Sequence, residues 1–238
     1  MPLRGKCCAL INAALNSNKA RKRGNMKALL LSLFVSFVSW LPVKAYSENK
    51  VIVPPSDRVA GMPQSEWSRV WWQWAGAFDQ DESPVADLTG ERCHLKQSGP
   101  VWFLAGTYSS GRTIRTCRVP RGKYLFFPLI NYVVMRPARR EVTCEAVTAT
   151  AKRETDNVGA LTLEIDGVRA HNLVAHRQAT AGCFDMGAMT DEKYRVFPSA
   201  ANGYYIMLRP LSPGKHVLNF GGVFPDFVQA ITYNLYVD

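Results

Sequence analysis

No acidic residue occurs in the first 45 positions of this 238-residue chain, a segment that carries eight of its 29 basic residues. The remainder, from Tyr46, holds 21 basic and 19 acidic residues, net +2, so the formal charge of +10 is mostly a property of the leader. A nucleic-acid partner would need a basic patch on the folded domain, and most of that charge lies outside it. What remains is Arg136, Arg139 and Arg140 around Pro137, read as a solvated loop tip, with an anionic-ligand site as the alternative. The linear signatures of common enzyme classes are also missing: no Gly-x-Ser-x-Gly, His-Glu-x-x-His, phosphate loop or Gly-x-Gly-x-x-Gly. Their absence removes the named classes without excluding an enzyme, because many folds carry chemistry with no linear motif.

Residues 26–45 read MKALLLSLFVSFVSWLPVKA. Met26-Lys27 is a positive start, Ala28 to Leu41 is free of charge, Pro42 breaks the helix, and Val43-Lys44-Ala45 places small residues where a signal peptidase reads. The uncharged run of 14 residues falls short of the roughly 20 a membrane-spanning helix needs, so a cleaved signal peptide is expected and a retained anchor is the alternative. Met26 is the expected true start, which leaves Cys7 and Cys8 outside the folded product. The expectation is export to the periplasm or the extracellular space, with residues 1–45 as leader, 46–61 as an extended arm around Pro54-Pro55, and 62–238 as one domain, with no membrane span after cleavage.

Four cysteines follow the leader: Cys93, Cys117, Cys144 and Cys183. An even count in an exported chain points to two disulfides. Of three pairings, the sequential one, Cys93–Cys117 with Cys144–Cys183, is expected. Closing the 24-residue loop contributes about 3 kcal/mol by loop entropy. Zinc is the rival, but there is no Cys-x-x-Cys and the histidines do not cluster with the cysteines.

SEWSRVWWQW, residues 65–74, holds four tryptophans. Ser65 reads as an N-cap and Glu66 suits the first turn. Trp67, Trp71, Trp74 and Phe78 recur at i, i+4, i+7 and i+11, with Val70 beside them, which is one stripe of an amphipathic helix. Burying three tryptophans at about 200 Å² each contributes on the order of 10 kcal/mol as an upper estimate, so the stripe is expected in the core. Trp72 stands off the stripe and stays available for sugar stacking. One basic residue on the polar face argues against a membrane-surface helix.

Beyond Val101 the chain becomes short apolar runs between turn residues: 101–108, 113–119, 123–130, 141–147, 161–165, 168–176, 204–209, 216–222 and 228–237. Several are rich in β-branched and aromatic residues with period-two alternation. Asp166-Gly167 signals a hairpin, and Ser212-Pro213-Gly214 another turn. The expectation is a mainly β chain: an antiparallel β-sandwich, jelly-roll or immunoglobulin-like, with one N-terminal amphipathic helix.

Asp79, Asp81, Glu82 and Asp87 are the candidate catalytic carboxylates, as in glycoside cleavage. Asp79, Asp81 and Ser83 also match positions 1, 3 and 5 of an EF-hand loop, but Pro84 stands where glycine is required and Gly90 where glutamate is required. No cofactor is expected, an irregular calcium site being the alternative. The solvated loop is the plain reading of the segment. His171 and His176, five apart, would face opposite sides of a strand and make no ligand pair.

The blocks CHLKQSGPVWFLAGTY, RTCRVPRGKYLFFPLIN and LSPGKHVLNFGG, following a tryptophan-rich helix, resemble an uncharacterised family of exported bacterial proteins. The likeness spans roughly residues 60–238 and implies kinship without an activity or catalytic residues. Cys93 and Cys117 lie inside its blocks, in keeping with the disulfide argument.

Three functions follow as expectations. The first is a non-catalytic module binding an extracellular or cell-surface glycan through Trp72, Trp102 and Tyr108, with Trp102 doubtful because VWFLA is apolar on both faces. The second is a polysaccharide hydrolase or lyase using carboxylates of 79–91 with Arg177 or Lys123. The third is a structural envelope protein that contacts other proteins. A cleft carboxylate of strongly shifted pKa would favour the enzyme; an aromatic groove without one would favour the binder.

Overall fold

The computed structural model describes residues 50–79, 81–137, 141–190 and 195–238. The chain divides into Met1–Val43 and Lys44–Asp238. The leader, residues 46–49 of the arm, and Arg139 and Arg140 lie outside the described residues, and every element below belongs to the second unit.

Among the described residues nine strands form two sheets: β1 (Val101–Phe103), β2 (Gly111–Val119), β3 (Tyr124–Met135), β4 (Ala160–Ile165), β5 (Val168–Arg169), β6 (Arg177–Ala179), β7 (Ser199–Leu208), β8 (Gly214–Phe224) and β9 (Phe227–Val237). One sheet runs β1-β3-β7-β6 and the other β2-β9-β8-β4-β5. They pack face to face as a β-sandwich around Leu125, Phe127, Leu163, Ile206, Leu218 and Leu235, all at most 1% exposed. The sheets are not purely antiparallel: β1 runs parallel to β3, and β2 parallel to β9. In both cases an excursion separates the strands, so no tight hairpin turn joins them. β1 and β3 flank β2, which lies in the other sheet, and β2 meets the last strand of the chain.

The tryptophan-rich helix, α1 (Gln64–Ala75), lies on the outer face of the four-stranded sheet. Trp67, Trp71 and Trp74 are 7%, 1% and 1% exposed and pack on Phe103, Phe126, Tyr205 and Met207. The stripe is therefore core, as its period requires. The cap differs: Pro63, not Ser65, is the N-cap, with no side-chain bond. The neighbouring Gln64 turns inward instead, and its Nε2 donates to the Pro54 carbonyl at 2.6 Å. That bond fastens the arm, which is extended only briefly: Val53 N donates to Met207 O and Arg209 N to Val51 O, both at 2.8 Å, before the chain turns at Pro54–Asp57. The arm thus continues the edge of β7 beyond β6.

Two segments expected as strands are not. Residues 141–147 open a second helix, α2 (Cys144–Asp156), where Thr143 Oγ1 accepts from Ala146 N at 3.2 Å as an N-cap. Its apolar stripe is thin (Val147, Ala151 and the Thr155 methyl), so the seven-residue window showed alternation while the longer helical period stayed weak. Residues 168–176 break into β5 and a 3-10 helix, Leu173–His176, because Asn172 takes a left-handed conformation, φ 55°.

Both disulfides pair sequentially, Cys93–Cys117 and Cys144–Cys183. The first clamps segment 87–93 over the outer edge of β2, where Thr116 N donates to Thr89 O at 2.8 Å. Gly90, at φ 93°, is required there: a Cβ would stand 2.3 Å from Thr116 O. Cys93 and Cys117 are buried at 8% and 2%, whereas Cys144 is exposed and Cys183 half-buried. Under graded dithiothreitol, mass mapping is expected to find Cys144–Cys183 open first, because thiolate attack requires access. Replacing Cys93 and Cys117 together by alanine is expected to cost about 3 kcal/mol in urea unfolding.

Candidate functional site

Residues 104–109, after β1, run buried between α1 and the five-stranded sheet until Tyr108 emerges. A buried segment outside a sheet needs other partners for its backbone, and here side chains supply them. Leu104 O accepts from Trp71 Nε1 at 3.0 Å. Ala105 N donates to Tyr233 Oη at 3.0 Å, and Thr107 N to Gln229 Oε1 at 3.1 Å. Gln229 Nε2 in turn donates to Pro128 O and Leu129 O at 3.0 and 2.8 Å. Gly106 passes so close that a Cβ would meet Gln229 Oε1 at 2.7 Å.

The main anchor is Arg115, 1% exposed. Its Nε donates to Asp87 O at 2.6 Å and its Nη2 to Val85 O at 3.1 Å. Its Nη1 donates to Ala105 O and Gly106 O, both at 2.8 Å, and to Tyr233 Oη at 3.1 Å. The guanidinium lies 5.6 Å from the centroid of the Tyr233 ring. Among the described residues no carboxylate pairs with it. Carbonyl dipoles and a π face compensate the buried charge, and the planar fork joins two segments at once.

Residues of both segments, Val85, Gly106 and Thr107 among them, line one cleft. Its deep end, about 180 Å³, is walled by Trp72, Ile130, Phe227 and Tyr108, with Asn131 and Gln229 as polar groups. Val85, Thr107 and Tyr108 also line a wider outer part of about 520 Å³, which Asp81 and Ser109 border. The rim residue Tyr108 is 50% exposed. Trp72 is half-buried, meets Trp71 edge to face at 5.0 Å, and donates from Nε1 to Tyr205 Oη at 2.9 Å. Asn131 Nδ2 donates to the same hydroxyl at 3.1 Å. Burial pushes the Tyr205 phenol well above its ordinary range, the two bonds offsetting part of the effect, so it stays neutral.

Of the sequence-level candidates, Trp72, Tyr108 and Asp81 come together here. Trp102 does not: it is 8% exposed and lies in the sandwich core beside Cys93 and Cys117, because β1 is covered on both faces. It is withdrawn as a ligand contact. Asp79 and Glu82 are exposed and outside the cleft lining. Asp87 is structural. Burial alone would raise its pKa, but bonds from Arg92 N, Thr89 N and Thr89 Oγ1 at 2.8–2.9 Å hold the carboxyl below its usual range. Arg177 bridges Asp156, at 2.7 Å, and Asn202, at 2.9 Å, and Lys123 donates to Gly99 O. Neither lines the cleft. Among the described residues no group of three or more His, Cys, Asp or Glu is placed to hold a metal ion, and no helix is long and apolar enough to cross a membrane.

Arg115, Asn131, Phe227 and Gln229 escaped the sequence reading. Arg115 carried a signal: period-two alternation in 111–119 places it with Thr113, Cys117 and Val119 on the buried side. The others carried none, since each is defined by its distant partner.

A serine, a histidine and an aspartate meet elsewhere. His216 Nδ1 lies 2.7 Å from Asp166 Oδ2, and Nε2 lies 3.3 Å from Ser212 Oγ. Nε2 is closer, 2.9 Å, to the Ser212 carbonyl, to which it can only donate. With a carboxylate on Nδ1, both nitrogens donate, so the ring is an imidazolium clasp and not a general base. Burial lowers its pKa, but the bonds to Asp166 and the Ser212 carbonyl outweigh this and raise it.

No protein-family model, no curated protein and no solved structure matches this chain.

Two outcomes are expected. Arg115→Met leaves the carbonyls of Val85, Asp87 and Gly106 without their side-chain donor, while Ala105 O keeps the Tyr233 hydroxyl, and lowers stability by about 3–5 kcal/mol in urea unfolding; Arg115→Lys does not restore it, since a point ammonium cannot serve both segments. For His216, the folded pKa lies above the unfolded value of about 6.5. Its stabilising contribution is therefore full below about pH 6.5 and is lost as pH rises through the folded pKa. The stability gap between the protein and His216→Asn is expected to be larger at about pH 5.5 than at about pH 9; a gap independent of pH would refute the clasp.

Proposed function

We propose that this protein is an exported, disulfide-stabilised binding module that takes a neutral glycan in the cleft between α1 and the 104–109 segment. The observation that carries this reading is the convergence of Trp72, Tyr108 and Phe227 on one concave site with few polar groups. Aromatic faces match the C–H faces of a sugar ring. Asn131, Thr107 and Ser109 offer amide and hydroxyl groups for orientation. The deep end lies below the roughly 300–1,000 Å³ of drug-sized sites, which suits a single ring, with further units in the outer part. Among the described residues, Asp81 is the one charged residue of the lining, which disfavours anionic sugars. Export accords with the two disulfides, which persist in oxidising compartments.

The binder is favoured over a hydrolase because, of the acidic candidates, Asp81 alone lines the cleft, while Asp79 and Glu82, in the same turn, do not and Asp87 is engaged by its own loop. Paired carboxylates about 5–9 Å apart across a sugar are what glycoside cleavage requires.

A thermal-shift screen of the oxidised protein against polysaccharides tests the reading. One neutral glycan is expected to raise Tm, and Tyr108→Ala to abolish that shift with little change in the unliganded Tm, because the side chain is half exposed. Trp72→Ala is expected to abolish the shift too, and to cost about 2–3 kcal/mol of stability, since it removes a half-buried ring and the donor to Tyr205. No shift across the panel would reject the glycan reading and favour a protein-contacting envelope role. Cleaved product from a binding glycan would make the protein an enzyme.

A further inference from the structure

The two sheets differ on their outer faces. The four-stranded sheet carries α1, and α2 packs against β3 and β7. Neither helix covers the outer face of the five-stranded sheet. Alternation sorts its strands: Thr113, Arg115, Cys117 and Val119 of β2 are buried, and the residues between them are exposed. β8 and β4 likewise turn Leu218, Phe220, Leu163 and Ile165 inward, and their alternate residues outward.

The register sets the outward residues in rows. Arg118 stands beside Tyr236, and Tyr236 beside Lys215, on three adjacent strands. Arg112 stands beside Ala230, near the other end of β2. Arg169 stands beside Glu164, and Glu164 beside Asn219. The outward charges of these strands are thus Arg112, Arg118, Arg169 and Lys215 against Glu164. The carboxylate is engaged: it accepts from Asn219 Nδ2 at 3.0 Å, and Asn219 Oδ1 accepts from Thr232 Oγ1 at 2.8 Å. Arg112, Arg169 and Lys215 are exposed and make no side-chain hydrogen bond or ion pair among the described residues. Arg118 meets Asp238 at 3.4 Å, a pair exposed on both sides and so weakly held. Its guanidinium lies 5.7 Å from the centroid of the Tyr236 ring.

A small anion reaches only one of these cations. Arg118 and Lys215 are two strand spacings apart, about 10 Å, and Arg112 lies about 20 Å from Arg118 along β2. A partner that meets several is an extended chain with repeated negative charge. Between the cations lie Thr116, Thr162 and Asn234, whose side chains have no hydrogen-bond partner among the described residues. They offer hydroxyl and amide groups to sugar hydroxyls, and Tyr236, 38% exposed, offers one ring face. Single-stranded nucleic acid uses several such rings in succession.

We propose that the outer face of the five-stranded sheet is a docking surface for an acidic polysaccharide, independent of the neutral-glycan cleft. The chain lies across the strands with its carboxylates on Arg112, Arg118, Lys215 and Arg169 and its sugar rings over the Thr, Asn and Tyr236 side chains.

Calorimetric titration with polygalacturonate tests the surface, with its methyl ester, poly-L-glutamate and an oligothymidylate as comparisons at matched chain length. Polygalacturonate is expected to bind tightest, and to weaken as salt rises. Replacing Arg112, Arg169 and Lys215 together by glutamine, all at exposed positions, is expected to weaken it about tenfold or more. Replacing Lys50, Lys152 and Arg153 by glutamine removes the same charge away from this sheet and is expected to leave most of the affinity. Tyr108→Ala is expected to leave it intact. Equal losses in the two triple variants, loss with Tyr108→Ala, or equal binding of the methyl ester would overturn the proposal. Poly-L-glutamate or the oligothymidylate binding as tightly as polygalacturonate would also overturn it, in favour of an acidic protein or a nucleic acid.

Discussion

A cation buried with no carboxylate partner among the described residues holds the lining of the candidate cleft together. Arg115 comes from β2 of the five-stranded sheet, yet it ends among the carbonyls of Val85, Asp87, Ala105 and Gly106. Neither segment is in a sheet, so neither can satisfy its backbone through a strand ladder. The guanidinium does that for both. A carboxylate partner would neutralise the charge and leave the carbonyls unserved; the carbonyls together compensate the charge and are themselves satisfied. Tyr233 completes the arrangement, its ring near the cation and its hydroxyl bonded to the Ala105 amide.

The cleft follows from this anchor. With segments 85–87 and 104–107 held on one residue, Val85, Gly106 and Thr107 come to line it, and the Trp72 side of the helix becomes a wall. The tryptophan stripe thus serves two purposes at adjacent positions. Trp71 spends its ring on the core and its N–H on Leu104 O, while Trp72, one position on and about 100° round the helix, closes the cleft and donates to Tyr205. The buried disulfide Cys93–Cys117 pins the loop that carries Asp87 to β2, two residues beyond Arg115. Covalent and electrostatic ties therefore converge on the same strand.

The mouth of the sandwich answers a different constraint. Two twisted sheets diverge at their ends, and the gap must be filled by helices or left open. α2 and the 3-10 helix fill part of it. Arg177 bonds Lys152 O and Thr155 Oγ1 at the C-terminus of α2 and Asn202 on β7. The part left open is the cavity lined by Leu161, Leu173 and Tyr204.

Much of this was legible along the chain. The period of Trp67, Trp71 and Trp74 placed a helix against the core, and the runs 113–119 and 228–237 were legible as strands, which the structure extends to 111–119 and 227–237. The cysteine count gave both disulfides, and Trp72 and Tyr108 stood out as candidates that the fold then brought to one cleft. These are short-range patterns, set by 3.6 residues per turn or two per strand repeat, and a sequence carries them directly. The burial of Trp102 was foreshadowed by the apolar run around it, whereas the 141–147 segment was misread because a helix whose stripe is thin leaves no distinctive period. What only the tertiary structure decided is who meets whom: β2 beside β9, Gln229 on Pro128 and Leu129, Arg115 on Tyr233, 118 residues away. Such pairings depend on sheet order and on which polar groups remain unsatisfied after the sheets close. Both are properties of the packed whole, and no local spacing encodes them.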